Sequence, residues 1–101
     1  MYDYGNTYVL ESLIEYLNKL TNSPATPYTH TESGELVANV GNFHLACAFN
    51  CYCLRRMCNE HGGFTTPLVN FYITKTELND RITGYIAGIE FALENMQKVE
   101  A

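Results

Sequence analysis

The segment from Asn42 to His61, NFHLACAFNCYCLRRMCNEH, holds all four cysteines of the chain and, wound as a helix, is apolar on nearly every side. A surface helix carries one apolar stripe, and a helix apolar all round must be covered on more than one side. The segment is therefore expected as the central helix of the fold, or as a helix of which half meets another chain. At 100° per residue, Phe43, Cys47, Asn50, Cys51, Leu54, Met57, Cys58 and His61 fall on one side. Leu45, Phe49, Tyr52, Cys53 and Arg56 fall on the other, a side too apolar for a solvated face. The first set is the expected core stripe, with Cys acting as a small apolar residue. From the second, Leu45, Phe49, Tyr52 and Arg56 are expected as an interaction surface.

The flanking segments are read from period and punctuation. Asn6 or Thr7 can N-cap a first helix over 7–21, with Leu10, Leu13, Ile14, Leu17 and Leu20 at helical spacing. Asn22-Ser23-Pro24 stops it. Tyr28–Thr31 and Glu35–Val40 read as two strands joined through Gly34, a hairpin. Gly41-Asn42 opens the cysteine helix, and His61, favoured at the negative helix end, precedes the closing Gly62-Gly63. Leu68–Thr74 is rich in β-branched and aromatic residues and reads as a central strand. Thr74 with Glu77 three residues on forms a capping box for a last helix over 75–98. The seam Leu78, Ile82, Tyr85, Ile89, Ala92, Met96 and Val99 marks its buried face, with Gly84 and Gly88 expected at tight packing. The expected fold class is α+β: three helices packed on a small mixed three-stranded sheet, order α-β-β-α-β-α. At 101 residues the chain is expected to be one globular domain, 1–101.

Eleven acidic against six basic side chains give a net charge of −5. Phosphate binding needs clustered Lys and Arg, so neither nucleic acid nor an anionic membrane is an expected partner. A basic protein surface is the partner that this charge suits. No apolar run reaches membrane length, and the first residues lack the basic and apolar regions of a signal peptide. The expected location is the cytoplasm, of a host cell if the chain is viral, with reduced thiols.

The cysteines carry the remaining candidate chemistry. Cys47, Cys51, Cys53 and Cys58 contain no Cys-x-x-Cys pair, the usual spacing of a zinc site. On a helix, His44, Cys47 and Cys51 would share one side within two turns, and they are the candidate metal ligands or catalytic Cys/His set of an alternative reading. The main expectation is structural thiols, no metal and no cofactor. The acidic pairs Glu11/Glu15 and Glu90/Glu94 lie off the apolar stripes and read as solvated faces. Gly62-Gly63 lacks the Lys-Ser/Thr of a phosphate loop.

These observations lead to a small acidic protein-binding module without catalysis. In size and composition it is similar to the accessory proteins of phages and mobile elements that inhibit host defence enzymes, the anti-CRISPR proteins among them. That likeness covers no motif. The alternatives are a small Cys/His enzyme or metal protein and a homo-oligomeric structural subunit. A homodimer is expected, because Leu45, Phe49 and Tyr52 on one helix face would expose a large apolar patch.

Overall fold

The computed structural model describes residues 7–100, and side chains as far as Gln97. The first helix, α1 (Tyr8–Leu20), forms as its stripe predicts: Leu10, Ile14 and Leu17 are buried, with Leu13 and Leu20 packed beside them. Its end is fixed by the Thr21 hydroxyl donating to the Leu17 carbonyl at 2.8 Å and by Asn22 at φ 55°. The first hairpin also forms where expected, as β1 (Tyr28–His30) and β2 (Leu36–Ala38), antiparallel with Thr29 opposite Val37. Gly34, at φ 87°, makes the left-handed turn residue between them.

The expected cysteine helix does not exist. Residues 42–61 fold instead as an antiparallel hairpin, β3 (Phe43–Ala48) and β4 (Cys51–Met57). The two-residue loop Phe49-Asn50 has φ 52° and 59°, the left-handed pair that a tight hairpin turn with the twist of its strands requires. Directly opposite residues share a face. Phe43, Leu45 and Cys47 therefore lie with Arg56, Leu54 and Tyr52 on one face, and His44, Ala46 and Ala48 with Arg55, Cys53 and Cys51 on the other. The first face contributes Phe43, Tyr52 and Leu54 to the core. The second is roofed by residues 66–72. There the Cys53 thiol donates to the Val69 carbonyl at 3.5 Å, and Arg55 donates to the Tyr72 hydroxyl at 2.8 Å. Both faces being partly covered, the strands need no polar side, and the alternation that marks a half-buried strand is missing. That is why the segment passes for a helix apolar all round.

Leu68–Thr74 is not the central strand either. The outer edge of β4 pairs with the short β5 (Phe64–Thr65) at Arg56 and Met57, and with Ile73 alone at Tyr52. The Tyr52 and Ile73 backbones exchange hydrogen bonds of 2.7 and 2.9 Å. Between those two anchors the chain, after Pro67, bows out as the roof, packing Leu68 and Val69 inward.

The last helix, α2 (Lys75–Glu100), starts at the predicted cap: the Glu77 N–H donates to Thr74 Oγ1 at 3.2 Å. Its buried face is Leu78, Ile82 and Ile86, flanked by Tyr85 and Ile89. The expected seam thus misses Ile86, and its Ala92 and Met96 are exposed; the Val99 side chain lies outside the described residues. Gly84 and Gly88 face open space, so the tight packing expected at them is absent. At 26 residues α2 is about 39 Å long, and beyond Ile89 it carries Phe91, Leu93 and Met96 outward. The architecture is α+β, but with two helices and two antiparallel sheets of two and three strands, ordered β1-β2 and β3-β4-β5. Among the described residues, no helix is long and apolar enough to cross a membrane.

Candidate interaction surface

Strand β3 is an edge strand, and one residue of α1 decides how much of its edge is closed. Asn18, itself buried, donates from Nδ2 to the Phe43 carbonyl at 3.0 Å and accepts from the Phe43 N–H at 2.8 Å. The amide side chain thereby does for Phe43 what a neighbouring strand would do. In an antiparallel pair, backbone groups alternate between partner and outer edge. With Phe43 turned outward, Leu45 and Cys47 are turned outward too. Among the described residues, nothing pairs with their N–H or C=O groups on that edge. A natural edge is commonly blunted by charge, proline or a bulge. The β3 sequence FHLACA has none of these.

At the end of this edge stands Phe49, 99% exposed and at φ 52°, a conformation that an aromatic residue rarely adopts. At the other end an open cleft of about 520 Å³ lies between α1, the 23–27 loop and β3. Ile14, Phe43 and Leu45 supply apolar wall, Asn18 and Asn42 lie in the floor, and Glu11, Glu15 and Lys19 stand on the helix side. Glu15 and Lys19 form an exposed ion pair at 3.3 Å.

The residues expected as an interaction surface are placed unequally. Phe49 is at the tip and Leu45 lines the cleft. Arg56 is exposed, with its guanidinium 5.1 Å from the Phe43 ring centre and Nε donating to the Gly41 carbonyl at 3.3 Å. Tyr52 is 4% exposed and belongs to the core, so it offers no contact surface. Sequence reasoning missed the cleft and the role of Asn18. The latter left a trace, since Asn18 sits four residues after Ile14 on the apolar side of α1.

The alternative ligand set does not assemble. Cys47 projects on the opposite hairpin face from His44 and Cys51. Among the described residues, no group of three or more His, Cys, Asp or Glu side chains is placed to hold a metal ion. The four cysteines are free; Cys47 and Cys58 are exposed and Cys51 is half-buried, so these three do not form the core stripe expected of them, and Cys53 from the other side is the buried one. Burial pushes the Cys53 thiol up, against a smaller opposing pull from Arg55, so it stays protonated and unreactive. His61 lies in a turn, its N–H and that of Gly63 both donating to Asn59 Oδ1, and caps no helix. Glu90, expected on a solvated face, accepts the Tyr16 hydroxyl at 2.6 Å and ties α1 to α2.

His44 is held neutral. Burial lowers its pKa, the Arg55 charge lowers it further, and the Asn42 backbone only partly opposes them. Its Nδ1 is buried without a partner among the described residues. Because the unfolded chain binds a proton near pH 6.5 and the folded chain resists it, stability should be fully present above pH 6.5. It should decline as the pH falls from there towards the lower folded value. Thermal melts between pH 7.5 and 5.5 should show this slope, and His44→Gln should flatten it.

No protein-family model, curated protein or solved structure matches the chain.

Proposed function

We propose that the protein works by binding another polypeptide through the β3–β4 hairpin, with no chemistry of its own. The observation that carries this is Phe49: a large apolar side chain, 99% exposed, on a backbone at φ 52°. Such a residue adds nothing visible to the fold and strains the turn, so its use lies outside the chain. The open edge beside it supplies main-chain hydrogen bonds, and the aromatic tip supplies an anchor, the two parts of recognition by strand addition. A protonated Cys53 and a Glu15 already paired with Lys19 favour binding over catalysis. Four free thiols, two of them exposed, suit a reducing compartment, and we place the protein in the cytoplasm.

The reading has a direct test in dilute solution, where association does not contribute to stability. Phe49→Asn should raise stability by about 0.5–1 kcal/mol, because asparagine tolerates the left-handed backbone and no contact is lost. Chemical denaturation followed by circular dichroism measures it. A loss of 1 kcal/mol or more would show that Phe49 serves the fold, and would remove the basis of the proposal.

A further inference from the structure

We infer that the polypeptide bound at this hairpin is a second copy of the same chain, joined β3 to β3 across a two-fold axis at Ala46; this rests on the binding role proposed for Phe49. The free groups select the register. With Phe43 closed by Asn18 and the turn beginning at Phe49, only Leu45 and Cys47 offer outward hydrogen-bonding groups along β3. Antiparallel pairing of Leu45 with Cys47 of the second copy, and of Cys47 with its Leu45, satisfies all of them and leaves none over. Ala46 then meets its own symmetry mate, and its methyl group allows the strands their ordinary separation. The three-stranded sheets become one continuous six-stranded sheet.

The same register disposes of the aromatic tip. Phe49 of each copy comes abreast of Phe43 in the other, at the strand end where the cleft walled by Ile14, Phe43 and Leu45 opens. The knob left exposed on one copy is thus presented to the hollow in its mate, twice over, as a two-fold contact demands. Two phenylalanines of about 200 Å² each, with the smaller stretch of cleft wall that each covers, remove about 600 Å². The strand edges bring the total towards the ~1,000 Å² of a specific interface. Charge also permits it: the chain is acidic overall at −5, yet β3 has no charged residue, so no like charges are set opposite one another.

Sedimentation equilibrium from 1 to 100 µM tests the pairing. The wild-type protein should move from the chain mass of 11.4 kDa to twice that value. Cys47→Lys, which puts a charge on the edge, and Phe49→Asp, which puts one in the cleft, should each weaken dimerisation at least tenfold. Circular dichroism should show the fold of both variants intact. Leu36→Lys, on the exposed first hairpin, should dimerise as the wild type does. A wild-type protein that remains monomeric to 100 µM overturns the inference, as does a dimer that both hairpin variants leave unweakened. Either result leaves the denaturation test of Phe49→Asn standing, so the two failures are told apart.

Discussion

Leu54→Ala should destabilise the protein by about 2–5 kcal/mol, the usual cost of emptying a fully buried leucine site. Leu54 is 1% exposed and lies on β4, the middle strand of its sheet, among the side chains that α1 and α2 bring to the hairpin. A domain of this size has about 5–15 kcal/mol in total, so the loss takes a large share of it. Leu36→Ala, at a site 55% exposed, should cost a small fraction of that. Urea denaturation of the three proteins gives the comparison. Near-equal midpoints for wild type and Leu54→Ala would mean that the hairpin does not form the core.

Asn18→Ala should cost about 2–4 kcal/mol through a different cause. The substitution removes no large apolar volume, but it strands the Phe43 N–H and C=O, both at a residue 2% exposed. Each unsatisfied buried group costs about 1–3 kcal/mol. Asn18→Asp separates the two bonds: the carboxylate can still accept from the Phe43 N–H but only repels the carbonyl, so it should not rescue the alanine variant. A variant with Asn18→Leu that equals the wild type would show that helix packing alone fixes this strand end.

The two helices were legible in the sequence because each has a wet side, and the first hairpin because a glycine marks its turn. Leu10, Ile14 and Leu17 recur at helical spacing among polar neighbours, Thr74 and Glu77 mark a cap, and Gly34 marks a turn. The segment 42–61 gives no such contrast. Helices lie under one face of its hairpin and residues 66–72 over the other, so apolar residues occupy consecutive positions and neither period stands out. Asn50 was the usable signal: asparagine in mid-run tolerates the left-handed turn that splits the segment in two. Leu68–Thr74 misled for a related reason, since strand-forming residues serve equally to roof a sheet after Pro67. Of the candidate surface, Phe49 and Arg56 were found exposed although the helix that suggested them is absent, and Tyr52 was lost to the core. The open edge at Leu45 and Cys47 is a property of register, which the chain reveals only once the strands are paired.

Amide hydrogen exchange read residue by residue along β3 tests most directly whether this edge is the contact surface of the protein. In dilute solution His44 and Ala46, turned towards β4, should be protected, while Leu45 and Cys47 exchange rapidly. At concentrations where the mass doubles, Leu45 and Cys47 should become protected together, with His44 and Ala46 little changed. Protection of Leu45 and Cys47 already in the dilute monomer, or rapid exchange of both at every concentration, would contradict the account.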